Sequence, residues 1–240
     1  MSVQANPKIR VRFSKSGKVR FVGHRDVARI VERALRKIRL PMAYSEGFSP
    51  RPKISFGLAL SVAHESDAEY FDASLSEAVE ISGLASRISD ALPDGIEATA
   101  VVNLDPGSDS LQKAITSCSW RIEVLGGSVE AVQLAVSKVL QATELSCERV
   151  RKGKTTMVDV RPAIESVVVE GPTDDGVQLV VDLSIETLSL RPDEFVVALD
   201  QGFSLGRVHR THQWMKVGGV RCEPVMLPSS STRRELNSVS

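Results

Sequence analysis

Cysteine is scarce in this chain: Cys118, Cys147 and Cys222 are its only three, and none lies near another. That spacing excludes a disulfide framework and a zinc knuckle, and it fits a reducing cytosol. Long apolar runs are missing as well. No stretch reaches the ~18 residues of a membrane span, and the opening Met-Ser-Val-Gln-Ala-Asn-Pro lacks the apolar core of a signal peptide. There is no P-loop, no GxGxxG turn, no Cys-x-x-x-Cys-x-x-Cys cluster and no paired His-x-Glu, which counts against a self-sufficient enzyme. The expectation is a soluble cytoplasmic protein without a membrane partner, a metal or a cofactor of its own.

Net charge is also absent, since 30 Lys and Arg balance 30 Asp and Glu. The distribution overrides the sum. Residues 1–60 carry fourteen cations against Asp26, Glu32 and Glu46, a surplus of eleven, whereas residues 61–120 hold eleven acids against Arg87 and Lys113. A basic surface of this kind is the electrostatic footprint of a polyanion-binding site. The basic region ends in the segment Pro41 to Lys53, which packs three prolines, Gly47, two aromatics and two cations into thirteen positions.

Hydrophobic spacing predicts the elements. Ile9, Val11 and Phe13 alternate with Lys8, Arg10 and Arg12, the two-residue period of a half-buried strand with one basic face. Val19 to Val22 reads as a further extended run. Val27, Ile30, Val31, Ala34, Leu35 and Ile38 line one side of a helix that Pro41 ends. Ile54 to Leu60 and Glu69 to Leu75 follow as strands, the second turned by His64-Glu65-Ser66-Asp67. Val79 to Leu92 reads as a second helix and Ile96 to Leu104 as a strand. This order predicts an α+β class, with a ferredoxin-like βαββαβ domain over residues 7–104 built on an antiparallel sheet. A linker is expected at 105–117. A second ferredoxin-like domain, carrying an extra hairpin around Arg151 to Lys154, is expected at 118–216. Residues 227–240 have nothing to bury and read as a disordered tail.

Three groups of residues carry candidate chemistry. Arg25, Arg29 and Arg33 stack along one side of the first helix, suited to phosphate contact or to pairing with nearby acids. The strand cations Lys8, Arg10 and Arg12 would enlarge that positive surface. In the loop, two X-Pro pairs hold the chain extended and Gly47 allows positive φ. Tyr44 and Phe48 then either stack on bases or plug the gap between helix and sheet, while Arg51 and Lys53 reach phosphates. His24 is a weak candidate for a general acid or base in RNA cleavage, assisted by Tyr44 or Lys53. His209 and His212 point to opposite faces of a strand, which argues against a metal pair. The basic segment Arg207 to Thr211 would extend the binding surface from the second domain.

Gly23-His24-Arg25-Asp26, Leu40-Pro41, the run from Tyr44 to Gly57, Glu65-Ser66 and Ala68-Glu69-Tyr70 together resemble the radical-SAM-linked family, also called the DUF2344 domain. Val158 to Pro162, Leu190-Arg191-Pro192 and Arg210-Thr211 are similar to its weaker C-terminal motifs. The resemblance implies a stand-alone member that works beside a separate radical SAM enzyme, because the cluster cysteines are absent. It carries over no catalytic residue. At the level of fold, two ferredoxin-like domains with a basic loop are similar to the CRISPR repeat-processing endoribonucleases. Three functions therefore stand: an accessory protein that holds structured RNA such as tRNA or rRNA for a radical SAM partner, a docking or substrate-presenting subunit without RNA contact, and a metal-independent endoribonuclease.

Overall fold

The computed structural model describes residues 6–151 and 153–226. Lys152 and the expected tail at 227–240 lie outside them. Alternation makes strand β1 (Lys8–Lys15), but the run expected from Val19 to Val22 is not extended. Gly17, at φ 67°, turns the chain into a 3-10 turn over Gly17–Phe21, closed by the Val22 N–H donating to Val19 O. Helix α1 (His24–Lys37) follows and buries Val27, Val31, Ala34 and Leu35, as its spacing requires.

Strand β2 (Ile54–Phe56) is shorter than expected and β3 (Glu65–Ser74) is longer. Glu65, Ser66 and Asp67, read as a turn, belong to the strand because β1 reaches far enough to pair Lys15 with Ser66. Helix α2 spans only Leu84–Ser89, since Gly83 takes a left-handed conformation (φ 67°) just before it. Val79 and Ile81 pack on the core from outside the helix. Strand β4 (Ile96–Leu104) pairs antiparallel with β1, β1 with β3, and β3 with β2. Residues 105–117, expected as a linker, include α3 (Leu111–Ala114) and the first residues of β5 (Ile115–Leu125).

Helix α4 (Val129–Gln141) is capped by Ser128, whose hydroxyl accepts from the Ala131 N–H. Strands β6 (Ser146–Arg151) and β7 (Lys154–Asp159) form a separate hairpin. Strands β8 (Ile164–Pro172) and β9 (Gly176–Ser184) come next, then α5 (Pro192–Leu199), β10 (Ser204–Val217) and β11 (Val220–Cys222). The class is mixed α+β with antiparallel pairing at every ladder named here. Among the described residues the chain divides into two units, 6–115 with 213–226 and 116–212. Residues 213–216, expected in the second domain, thus belong to the first unit.

In the first unit, α1 and α2 cover one face of β1, β3 and β4. Ile9, Val11, Phe13, Phe71, Ala73, Ile96 and Ala98 meet Val27, Val31, Leu35, Leu84 and Ile88 there. The opposite face is also covered, and this corrects the reading of the strand cations. Arg10 is 1% exposed. It donates from Nε and Nη2 to the two carboxylate oxygens of Asp72 (2.7 and 2.9 Å), and from Nη1 and Nη2 to the carbonyls of Pro224 (3.4 Å) and Asp109 (3.3 Å). Arg12 donates to Asp67 O (3.0 Å) and Glu223 Oε2 (3.2 Å). Segment 213–226 returns over this face, so Arg10 and Arg12 hold the fold together rather than face a ligand. Of the three, Lys8 alone is exposed.

In the second unit, β5 pairs with β9 and β9 with β8, and β5 also neighbours β10. Ile122, Val124, Leu179 and Val181 lie buried on these strands, with Val132 and Val136 buried on α4 and Phe195 on α5. A polar clamp ties the β6–β7 hairpin to α5. Arg149, buried, donates from Nε and Nη2 to the carboxylate of Glu194, both at 2.7 Å, while the Arg191 N–H donates to Glu194 at 3.0 Å. Burial by itself would raise the Glu194 pKa; the hydrogen bonds from Arg149 and Arg191 outweigh it and hold the carboxyl below its ordinary value. A carboxylate depressed in the folded state contributes stability above its unfolded pKa, about 4.3, and loses that contribution as pH falls through the folded value. Urea unfolding between pH 7 and 3 is therefore expected to show a fall in stability on the acid side that becomes shallower in Glu194→Gln. An identical acid limb in the variant would contradict the assignment.

Candidate nucleic-acid interface

Helix α1 presents its apolar stripe inward, so the opposite stripe faces solvent by default. Arg25, Arg29, Arg33 and Arg36 are all exposed. Arg29 pairs with Asp26 and Arg36 with Glu32, each at 3.1 Å and both well exposed. Such surface pairs are worth little and exchange readily for another anion. Arg25 and Arg33 make no ion pair or hydrogen bond among the described residues. In the acidic segment that follows in sequence, Asp72 is directed to Arg10, and Glu65 to Arg20 and the Gly17 N–H. Part of the basic excess is thus neutralised inside the unit and by the two surface pairs of α1, which leaves Arg25 and Arg33 without an ion pair among the described residues.

The helix ends in a Schellman motif. Leu40 N–H donates to Leu35 O (3.1 Å) and Arg39 N–H to Arg36 O (3.0 Å), with Arg39 at φ 56°. Glycine is the usual occupant of that position; a side chain there carries strain of about 1–2 kcal/mol.

Pro41 to Lys53 then folds back on itself as a pinned hairpin. Ala43 N–H donates to Ser74 O, Ser74 N–H to Lys53 O, Lys53 N–H to Ala43 O and Ser45 N–H to Arg51 O, all at 2.8–2.9 Å. The Ser45 hydroxyl accepts from the Arg51 N–H at 3.0 Å. Gly47, at φ 115°, makes the bend at the tip. Phe48 sits next to it and is fully exposed, so it does not plug the gap between helix and sheet. Tyr44 is 47% exposed at the hairpin's base.

Between the last turn of α1 and this base lies a groove of about 580 Å³ lined by Glu32, Arg36, Arg39, Tyr44 and Pro52. Lys53 faces a different depression, shared with Lys8, Asp72 and Asp109. Arg25 lies eleven residues before Arg36, about 16 Å along the helix axis. The structure thus joins Tyr44 to the C-terminal end of the arginine stripe. Arg36 and Arg39, outside the set of site residues expected from the sequence, line the same groove. The available signal was Arg39 itself, a cation directly before Leu40-Pro41, where a helix must end.

His24 opens α1 and is half-buried, edge-on to Phe56 with ring centroids 5.5 Å apart. It lines a tight cavity with Lys15 and Glu69, whereas Tyr44 and Lys53 line other depressions. Lys15 is buried and donates to Arg20 O (3.1 Å) and Val22 O (2.8 Å), anchoring the segment that leads into α1. Burial lowers its pKa, opposed by the charge of Glu69. This arrangement anchors the start of α1 and sets His24 in a different depression from Tyr44 and Lys53, the residues expected to assist it.

In the second unit, Arg210 is 3% exposed and stacks on Trp120 at 4.7 Å. It therefore does not extend a basic surface, contrary to the reading of Arg207 to Thr211. The Arg207 N–H donates to Glu123 (3.1 Å); the Thr173 hydroxyl and this amide together hold the Glu123 carboxyl below its ordinary pKa. Among the described residues no cluster of three His, Cys, Asp or Glu is placed to hold a metal.

The profile of a family described as "Uncharacterized protein conserved in bacteria (DUF2344)" matches residues 8–195. Comparison with curated proteins returned no match. Among solved structures, a chain of a Cbf5–Nop10–Gar1 complex aligns with a TM-score of 0.50 and 11% identity, over 85% of this chain and 48% of that one. A chain of an H/ACA RNP bound to a substrate RNA containing 2'-deoxyuridine aligns at 0.43 and 10%, over 86% and 47%. One from the archaeal box H/ACA sRNP Nop10–Cbf5 complex aligns at 0.44 and 10%, over 85% and 47%. At such identities the first likeness concerns the fold alone, and the chain spans about half the length of these proteins.

Proposed function

Because the chain belongs to the DUF2344 family, whose description names no activity, we propose from its own surface that it is an accessory RNA-binding protein. The observation that carries this reading is the outer face of α1, where Arg25 and Arg33 stand exposed and unpaired among the described residues, with a pinned loop bearing Phe48 beyond it. Fixed cations on a rigid helix suit phosphates, and each phosphate neutralised releases counterions. The radical SAM partner rests on the family resemblance in sequence; modification or processing of tRNA or rRNA is the task proposed from the basic face and the loop. We read each unit as ferredoxin-like. The pairing orders β4–β1–β3–β2 and β10–β5–β9–β8 support that reading. Three free cysteines support a reducing, cytoplasmic setting, and among the described residues no helix is long and apolar enough to cross a membrane.

Titration of labelled tRNA by fluorescence anisotropy across a salt series tests the proposal. Binding at ~50 mM salt should weaken linearly in log salt, with a slope of about 0.7–0.9 per phosphate contacted. No affinity at that salt would remove the RNA reading. A second reading, the docking subunit, is favoured by Phe21 (59% exposed) and Val62 (55% exposed), on segments joined by the Ala63 N–H to Arg20 O. A complex with a radical SAM enzyme that survives ribonuclease treatment, and that is lost in Phe21→Asp, is its expected mark. Loss of that complex on ribonuclease treatment alone would count against it.

A further inference from the structure

We infer that the groove at the end of α1 and the hairpin tip beside it take an unpaired RNA segment rather than a duplex, an inference that rests on the RNA-binding reading above. The tip carries the first argument. Phe48 is fully exposed in the bend 46–49, which the Ser45–Arg51 and Ala43–Lys53 hydrogen bonds close at its base, so the hairpin presents the ring to solvent rather than to the core. Apart from solvent, the flat face of an aromatic ring accepts another flat apolar face. In a duplex the base faces are already stacked on one another, and an A-form helix shows proteins its sugars and phosphates; unpaired bases leave their faces free.

Arg39 carries the second argument, and it is independent of the first. Its left-handed backbone (φ 56°) is a conformation glycine adopts freely, and the arginine there puts a guanidinium on the groove wall. Arg36 lines the same groove, its pairing with Glu32 exposed and exchangeable. The charged groups on the groove wall are thus two cations and one acid. Toward the tip, Arg51, opposite Ser45, and Glu46 are both exposed. In this arrangement Arg36 and Arg39 hold backbone phosphates of one strand, Tyr44 flanks them, and a base stacks on Phe48.

The test compares a 12-nucleotide oligouridine with a 12-base-pair RNA duplex by anisotropy, using the whole chain, Phe48→Ala and Arg39→Gly. The wild type is expected to prefer the single strand. Phe48→Ala should weaken oligouridine binding about five- to hundredfold with an unchanged salt slope, because stacking is not ionic. Arg39→Gly should also weaken it, with a slope reduced by about 0.7, while its melting temperature rises; lost affinity then cannot come from unfolding. Equal affinity for both probes, or oligouridine binding unaltered in Phe48→Ala, overturns the inference and leaves RNA binding standing. Failure of both probes to bind at ~50 mM salt while labelled tRNA binds also overturns the inference; failure of tRNA as well overturns the RNA-binding reading itself.

Discussion

Asp72→Ala should destabilise the protein by about 3–5 kcal/mol, measured as the unfolding free energy in urea. Its magnitude follows from what is left behind. Arg10 is 1% exposed and gives two hydrogen bonds to Asp72; its remaining contacts are the carbonyls of Pro224 and Asp109 and the sulfur of Met215. Removing the carboxylate leaves a guanidinium that is itself 1% exposed without its ionic partner. The pair itself need not stabilise greatly, because desolvating two ions offsets most of their attraction. The double variant Arg10→Met/Asp72→Leu should accordingly recover most of the loss. A single variant that costs less than about 1 kcal/mol would show that water reaches Arg10, and the assignment of β1's second face as interior would fail.

Reversing Arg25 and Arg33 together to glutamate should lower RNA affinity at least about tenfold at ~50 mM salt. The slope of log K against log salt should shrink by about 1.4, the value for two phosphate contacts on a single strand. Both side chains are exposed and carry no internal partner among the described residues, so the melting temperature should move little. The matched reversal of Arg29 has a smaller expected effect on binding. Asp26, at 3.1 Å, already shares that guanidinium, and a glutamate in its place repels Asp26 whether or not RNA is present. Unchanged affinity in the Arg25/Arg33 variant would sink the helix-face site even if the protein binds RNA elsewhere.

These two outcomes contrast arginines that look alike in the sequence. Arg10 and Arg12 alternate with apolar residues much as a solvent-facing strand row does, and Arg25 and Arg33 repeat as a helix row does. The helix row was legible because Val27, Val31, Ala34 and Leu35 commit the other side of the same element to the core, which leaves the arginines outside. For the strand, period two says that Arg10 lies opposite Ile9 and Val11 and nothing about what covers it. About two hundred residues later, Met215 and Pro224 supply that cover for Arg10, and Glu223 meets Arg12. Arg210, on a segment read as basic surface, ends against Trp120 in the same way. Such a return path has no local signal.

The loop shows the same division at finer scale. Pro41, Gly47, Pro50 and Pro52 mark a stiff, punctuated turn, and Tyr44, Phe48, Arg51 and Lys53 mark it as chemically equipped. Whether Phe48 fills the core or stands in solvent depends on the pairing of Ala43 with Lys53 and Ser45 with Arg51, and on that hairpin's tie to Ser74. Hydrophobic spacing predicts a longer α2 than the six residues observed because Val79 and Ile81 do bury apolar surface, and periodicity registers burial whether or not the backbone is helical. Arg39 took its place in the groove only once the helix end had been closed by a left-handed residue. Hydrophobic spacing and turn chemistry are properties of neighbouring residues, so α1, β1 and the loop could be read from the chain itself. Burial is a property of what distant segments bring, so the separation of structural cations from those free to meet a ligand came only with the folded structure.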